Sequence, residues 1–107
     1  MATTDMMYGL KPETIKAILA VFEKYTAVEK AILYGSRAKG TYLPGSDIDL
    51  TLEGEGLDLY ILHKIETDLD DLLLPYKIDL SLLKHIRNPE LVQHIKRFGI
   101  DFYVVIK

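Results

Sequence analysis

Three aspartates give the first indication of chemistry in this chain. Asp47 and Asp49 stand two residues apart in a segment of alternating polar and apolar residues, which predicts a β-strand with both carboxylates on one face. Side chains at this spacing lie roughly 6–7 Å apart. Two like charges at that distance repel by roughly 2–3 kcal/mol at an effective dielectric of about 20. Asp79 has the equivalent polar position of a later predicted strand, and it joins the pair if the two strands are neighbours in register.

A cluster of three carboxylates needs a compensating cation. Oxygen ligands without histidine or cysteine favour Mg²⁺, with Mn²⁺ as the alternative. Three carboxylates can hold two such ions, and a two-metal site promotes in-line phosphoryl or nucleotidyl transfer. We therefore expect Asp47, Asp49 and Asp79 to be both metal ligands and catalytic residues. Asp79 is also expected to accept the proton of an attacking hydroxyl.

A short segment ahead of the aspartate pair predicts a phosphate-binding turn. Gly35 ends an apolar strand, and Ser36 to Lys39 predicts a single helical turn with Ser36 as its cap. Glycine lets the backbone approach a phosphate closely, and the N–H groups at a helix start attract anions. Arg37 and Lys39 are available to contact phosphate oxygens; the alternative is that both are solvated charges on a surface turn. Ser46, just before the aspartate pair, completes the predicted nucleotide-binding set.

Each of these signals has a plainer alternative. A Gly-Ser pair after a strand is usually only a turn, and the segment Pro44–Asp47 is typical of a turn in which the aspartate bonds its own backbone. A Walker A loop is excluded, because Thr41 and Tyr42 stand where that loop requires a lysine followed by serine or threonine. The combination of a Gly-Ser pair, an Asp-x-Asp pair and a third aspartate on a later strand favours a functional site.

The rest of the chain predicts an α/β fold with a small mixed sheet of three or four strands and helices packed mainly on one face. Helices are indicated by apolar residues at helical spacing, and strands by apolar or alternating runs. The predicted elements in order are a helix from Lys11 to Tyr25, strands Val28–Tyr34 and Asp47–Leu52, a helix from Asp58 to about Leu73, a strand Lys77–Leu83, a helix from Asn88 to Phe98, and a β-prone segment Ile100–Lys107. Met1–Leu10 is expected to be a loose end. The last segment is expected to be an edge strand or an arm for a partner.

The composition indicates one ordinary folded domain spanning residues 1–107. The chain is 49% apolar and 27% charged, which is typical of a folded protein with one core. No apolar run is long enough for a membrane span, and the absence of cysteine excludes disulfides and thiolate zinc sites. A net charge of −3 argues against a general nucleic-acid binder. We expect a cytoplasmic protein.

The motifs taken together resemble the minimal nucleotidyltransferases of the DNA polymerase beta superfamily. The resemblance is carried by Gly35–Gly40, Ser46–Leu50 and Ile78–Leu80, within a motif core of about residues 32–82. It implies a palm-like fold in which the Gly-Ser pair binds the β- and γ-phosphates of a nucleoside triphosphate. It also implies that the three aspartates bind two magnesium ions and that the third assists deprotonation of the acceptor. ATP is favoured as the nucleotide by family habit alone.

The acceptor side is not apparent in the sequence. Too few residues follow the third predicted strand to form the helical acceptor domain of larger relatives. The resemblance implies a partner, since stand-alone minimal nucleotidyltransferases pair with small all-helical HEPN-type proteins. In such toxin–antitoxin pairs the nucleotidyltransferase transfers AMP to a toxin tyrosine, so we expect a Mg²⁺-dependent protein adenylyltransferase that acts as an antitoxin.

Two alternative functions stay open at this point. The chain can be a non-catalytic antitoxin or complex subunit that acts by stoichiometric binding. It can also adenylylate a small molecule such as an aminoglycoside, which needs an acceptor pocket that so short a chain barely provides unless a homodimer builds one.

Overall fold

Helices and strands alternate along residues 6–105, the part of the chain that the computed structural model describes. The elements are α1 (Pro12–Glu23), β1 (Lys30–Tyr34), α2 (Ser36–Lys39), β2 (Ile48–Glu53), α3 (Leu59–Asp70), β3 (Ile78–Leu82), α4 (Pro89–Phe98) and β4 (Ile100–Val104), with a 3-10 turn at Leu83–His85. The strands form one sheet in the order β3-β2-β1-β4. β1 is antiparallel to β2 and β4, whereas β2 is parallel to β3. The predicted α/β fold with a small mixed sheet is confirmed.

The helices begin at the residues that the sequence predicts. Pro12 lies in the first turn of α1. The Asp58 side chain caps α3 by accepting a hydrogen bond from the Ile61 N–H at 2.9 Å, and Asn88 caps α4 in the same way. The end of α3 differs, because the helix stops at Asp70 rather than near Leu73. No helix in residues 6–105 is long and apolar enough to span a membrane.

The sheet carries helices on both faces, with most of the core on one of them. α1 and α3 cover the face that holds Leu33 and Leu50, where most of the fully buried side chains lie. Neighbouring residues of a strand point to opposite faces, so Ile32 lies on the other face and packs with Leu83 and with Ile95 of α4. The prediction that helices pack mainly on one face of the sheet holds for α1 and α3. α4 covers part of the other face.

The segment before α1 is packed, so the predicted loose end is wrong where the structure describes it. Leu10 is fully buried, which contributes about 1.5–3 kcal/mol for a leucine side chain. Its backbone exchanges two hydrogen bonds with Met7, at 2.8 and 3.1 Å. Residues 1–5 of that prediction lie outside the described residues.

The predicted C-terminal strand is β4, an edge strand that pairs with β1. The pairing register shifts between Ala31 and Ile32, which marks a β-bulge or similar irregularity. The edge-strand alternative is thus confirmed for Ile100–Val104, and residues 106–107 lie outside the described part of the chain.

Three chain segments meet at one end of the sheet, which we call the site end. β1 finishes there at Tyr34, whereas β2 and β3 start there at Ile48 and Ile78. Ile48 pairs with Ile78, and the Ile48 N–H donates a hydrogen bond to the Lys77 carbonyl at 2.9 Å. The turn after β1, the loop before β2 and the first residues of β2 and β3 carry all the predicted site residues.

Candidate functional site

The carboxylates lie on neighbouring strands at the site end. Asp49 of β2 is paired with Tyr34 of β1 on one side and with Asp79 of β3 on the other. The condition under which Asp79 joins the pair is met, because β2 and β3 are neighbours in register. Asp47 directly precedes β2. Asp49 is half-buried, whereas Asp47 and Asp79 are exposed.

Charge repulsion links the three aspartates. The pKa of Asp49 is raised above its ordinary value, first by burial and then by the negative charges of Asp79 and Asp47. The pKa of Tyr34 is also raised, chiefly by burial, with the charges of Asp49 and Asp79 adding to it and the Ser81 hydroxyl opposing it. The site end therefore concentrates negative charge that a cation would stabilise.

The carboxylates share an end of the sheet without converging on one point. Among residues 6–105, no group of three His, Cys, Asp or Glu side chains lies close enough together to hold a metal ion. The chemistry of the donor set nevertheless suits Mg²⁺, because Asp47, Asp49 and Asp79 offer carboxylate oxygens and neither nitrogen nor sulfur. Since Asp47 and Asp79 are exposed, rotation of their side chains is not blocked by packing.

Gly35 brings the turn after β1 against Asp49. Its backbone has φ 79° and ψ −153°, a region that essentially only glycine adopts. A Cβ atom at this position would lie 2.5 Å from the Asp49 Oδ2 atom, so there is no room for a side chain. The close approach places the first residues of α2 beside the half-buried carboxylate.

The helical turn forms over Ser36–Lys39 as predicted, with one difference at its start. Gly35 is the N-cap residue and Ser36 is the first helical residue, so the prediction that Ser36 caps the turn is wrong. No side chain bonds the helix start. At the other end Gly40 has φ 83°, and its N–H donates to the Ser36 carbonyl at 2.9 Å.

The structure gives Arg37 internal partners rather than a free guanidinium. Its side chain is buried, with 3% exposed. Nε and Nη2 donate to the Ser46 carbonyl at 3.1 and 2.7 Å, and Nη1 donates to the Tyr8 carbonyl at 2.8 Å. Three of its five N–H groups are therefore bound to backbone oxygen, and the predicted phosphate contact would compete with these bonds.

The other two predicted nucleotide-binding side chains differ in their freedom. Lys39 is exposed at the end of α2. The Ser46 hydroxyl accepts a hydrogen bond from the Leu43 N–H at 2.9 Å, and the Ser46 N–H donates to the Leu43 carbonyl at 3.0 Å. Ser46 thus holds the turn that leads into β2, and its phosphate contact stays a prediction.

One contact residue at this end was missed by sequence reasoning. The guanidinium of Arg37 lies 4.9 Å from the ring centroid of Tyr76, which belongs to the loop before β3. No spacing in the sequence relates these two residues, because the contact depends on the parallel pairing of β2 with β3. A groove of about 870 Å³ lies at the opposite end of the sheet, and none of the predicted site residues lines it.

The sequence matches a known family model over most of its length. Residues 16–104 match the model described as Polymerase beta, Nucleotidyltransferase. A comparison with curated proteins gives no match.

Several solved structures share the fold. A toxin–antitoxin structure with AMP-PNP has a TM-score of 0.69 at 22% identity, covering 85% of this chain and 73% of that chain. The toxin–antitoxin MntA–HepT has a TM-score of 0.65 at 18% identity, covering 89% of this chain and 74% of that chain. A structure of tri-AMPylated Shewanella oneidensis HEPN toxin with MNT antitoxin has a TM-score of 0.63 at 18% identity, covering 87% and 71%. At these identities the likeness shows the fold.

Proposed function

Because this chain belongs to the polymerase beta nucleotidyltransferase family, we propose that it transfers AMP from ATP to a hydroxyl of a protein partner. The observation that carries the proposal is the pairing of Asp49 with Asp79 beside the Gly35 turn. This pairing places carboxylates suited to a divalent metal beside a backbone turn, and the absence of a side chain at Gly35 lets a phosphate approach the backbone. A phosphate chain bridging the two would present its α-phosphorus to the carboxylate side, as nucleotidyl transfer requires.

The roles follow from burial and position. We assign Asp47, Asp49 and Asp79 to hold Mg²⁺, whose charge would offset the three carboxylates and polarise the phosphates. The Asp79 carboxylate accepts the proton of the acceptor hydroxyl, because it is exposed on the edge strand β3 and open to a group arriving from outside. Gly35 and Ser36 bind the β- and γ-phosphates through backbone N–H groups and a hydroxyl. The acceptor oxygen forms the new bond to the α-phosphorus while the bond from the α-phosphorus to the β-phosphate oxygen breaks, and the β- and γ-phosphates leave together as pyrophosphate.

A protein partner is the acceptor that this surface favours. Solved structures that share the fold include a complex of MNT antitoxin with AMPylated HEPN toxin. We therefore propose a helical HEPN-type protein whose tyrosine receives the AMP. The acceptor has to reach the site end, where the loops before β2 and β3 carry the exposed leucines Leu43 (72%) and Leu73 (87%). Exposed apolar side chains beside a polar site are typical of protein contacts.

The test is transfer of label from ATP. Wild-type protein, α-labelled ATP and Mg²⁺ should label a HEPN-type protein encoded beside this chain, and chelation of the metal should stop the labelling. Tyrosine-to-phenylalanine variants of the partner should identify the acceptor. Absence of label in the partner at every Mg²⁺ and Mn²⁺ concentration would contradict the proposal.

Ligand binding gives a second test that needs no partner. A non-hydrolysable ATP analogue with Mg²⁺ should stabilise the fold by about 3 kcal/mol at a hundredfold excess over Kd. The analogue without metal should give a smaller shift, because the three carboxylates then repel the triphosphate. A thermal melt measures both. Equal shifts with and without Mg²⁺ would mean that the carboxylates do not bind metal.

Leu73, the exposed leucine in the loop between α3 and β3, permits a test of partner binding. Leu73 has φ 55°, which is unfavourable for leucine and tolerated by asparagine. Leu73→Asn should preserve or raise the melting temperature while weakening partner binding by about tenfold, which corresponds to one well-packed apolar contact. Leu59, which is 53% exposed at the start of α3 and at the other end of the sheet, gives the matched control Leu59→Asn. Calorimetric titration with the partner measures the affinity of both variants. Equal affinities would mean that Leu73 does not contact the partner.

A second candidate function is inhibition by binding alone. It is favoured by the finding that no three potential ligands in the described residues converge on a metal position. Replacing all three aspartates with asparagine separates the two functions. If the triple variant still neutralises its partner in cells, binding is sufficient; if neutralisation is lost while the complex still forms, transfer is required.

A further inference from the structure

Arg37 is buried although it lies on a one-turn helix that leads into an exposed segment. Only 3% of its side chain is exposed, and no salt bridge to it occurs in the described part of the chain. Its charge is balanced by the backbone carbonyls of Ser46 and Tyr8, at 2.7–3.1 Å. A buried guanidinium without a carboxylate partner is stabilised by hydrogen bonds to such carbonyl dipoles, and bonds from a charged donor are stronger than those between neutral groups.

Two tyrosine rings from different loops lie against the guanidinium. Its central carbon is 5.3 Å from the ring centroid of Tyr42 and 4.9 Å from that of Tyr76, which is within cation–π range. Gly9 closes the packing, because a Cβ there would collide with the Tyr42 ring and lie 2.9 Å from Arg37 Nη1. We call this arrangement the Arg37 clamp: Arg37, the rings of Tyr42 and Tyr76, and the carbonyls of Tyr8 and Ser46.

The clamp connects the segments that carry the candidate site. Arg37 itself is two residues after Gly35, and Ser46 directly precedes Asp47. Tyr76 lies three residues before Asp79, in the loop that enters β3. One side chain therefore fixes the turn after β1, the loop before β2 and the loop before β3 relative to one another.

We propose that Arg37 is a positioning residue that holds the aspartate-bearing loops against the Gly35–Ser36 turn and does not itself bind phosphate. Its effect on catalysis rests on the proposed function, whereas its effect on loop order does not. Arginine is required because its planar fork donates to two carbonyls while its faces meet aromatic rings. Lysine keeps the charge but offers neither the fork nor the plane.

Arg37→Lys distinguishes positioning from phosphate binding. An arginine that binds phosphate is replaced in part by lysine, which also binds phosphate but as a point charge, so lysine should retain more ATP affinity than glutamine. A positioning arginine is not replaced by lysine, so Arg37→Lys and Arg37→Gln should both lower kcat by about tenfold to a hundredfold, the cost of misplacing catalytic groups. The KM for ATP should change by less than about threefold in both. Recovery of ATP affinity or kcat by lysine, relative to glutamine, would overturn the proposal.

Loop order is measured without substrate. In Arg37→Lys, hydrogen exchange of the backbone amides in residues 41–47 and 73–77 should become at least about tenfold faster than in the wild type. Tyr76→Leu should give the same loops the same change with Arg37 intact, which keeps the test valid if an Arg37 variant fails to fold. Tyr60→Leu is the matched control, since the Tyr60 ring lies 5.4 Å from Lys64 Nζ but is 71% exposed. Unchanged exchange in both Arg37→Lys and Tyr76→Leu would refute the Arg37 clamp. If exchange becomes faster as predicted but the wild-type protein transfers no AMP, only the proposed function would be refuted.

Discussion

Asp49→Asn is expected to abolish nucleotidyl transfer and at the same time to raise the stability of the metal-free protein at neutral pH. The loss of transfer follows from the proposed function, because asparagine removes one charge from the three carboxylates proposed to bind metal, with an expected decrease in kcat on the order of a thousandfold. Asparagine occupies nearly the same volume, so the backbone pairing with Asp79 is retained. The two opposite effects make this variant informative.

The gain in stability follows from the direction of the Asp49 pKa. Burial and the charges of Asp79 and Asp47 raise this pKa in the folded protein above its unfolded value. Such a group contributes stability below its unfolded pKa, when it is protonated, and that contribution is lost as the pH rises through the folded pKa. At neutral pH the ionised Asp49 therefore destabilises the fold. Asparagine removes this effect, so its advantage should be present at pH 7 and disappear at about pH 3, where the carboxyl is protonated.

Thermal melts of both proteins at the two pH values, without metal, measure the prediction. Asp101→Asn is the control, because Asp101 is exposed on β4 and pairs with Lys30 at 3.7 Å, away from the site. It should leave transfer unchanged and alter stability by less than about 0.5 kcal/mol. A lower melting temperature for Asp49→Asn at pH 7 would show that Asp49 is stabilised by a contact rather than strained by its neighbours.

The strands that carry the aspartates were predictable because their side chains alternate. Asp47, Asp49 and Asp79 are polar residues in alternating runs, and alternation alone assigns Asp49 and Asp79 to one face of the sheet. Their juxtaposition needed one further condition, that β2 and β3 pair in register, which the sequence could state only as a condition. Helix starts were also predictable from local sequence, because the Asp58 and Asn88 side chains accept hydrogen bonds from backbone N–H groups only two or three residues away.

The contacts of Arg37 were not predictable, because its partners are distant in the sequence. The Ser46 and Tyr8 carbonyls are backbone groups that every residue type possesses, so no residue identity signals them. Leu10 illustrates the same limit, since one isolated apolar residue gives no periodicity although it is fully buried. Local patterns indicated which residues have suitable chemistry, and only the tertiary fold shows that the Arg37 guanidinium donates to the backbone carbonyls of Ser46 and Tyr8.

Gly35→Ala is expected to lower both stability and activity strongly. The φ and ψ of 79° and −153° are essentially restricted to glycine, and this conformation costs a residue with a Cβ about 1–3 kcal/mol. The new methyl group would also meet Asp49 Oδ2 at 2.5 Å, so the turn or the carboxylate has to move. Movement of either separates the turn proposed to bind phosphate from the side chain proposed to bind metal. A decrease in kcat of about a hundredfold is the expected consequence of a displacement of about 1 Å.

Gly40→Ala separates the backbone effect from the contact with Asp49. Gly40 closes the same helical turn with φ 83°, but a Cβ there would meet no atom within 4 Å. This variant should lose about 1 kcal/mol of stability from the left-handed conformation and keep its transfer rate within about threefold. Chemical unfolding and single-turnover transfer measure the two quantities for both variants. If Gly40→Ala were as inactive as Gly35→Ala, turn stability rather than access to Asp49 would account for the loss. Both glycines have positive φ, but only Gly35 lies against the Asp49 carboxylate. We therefore expect the two variants to differ more in their transfer rates than in their free energies of unfolding, when both differences are expressed as free energies.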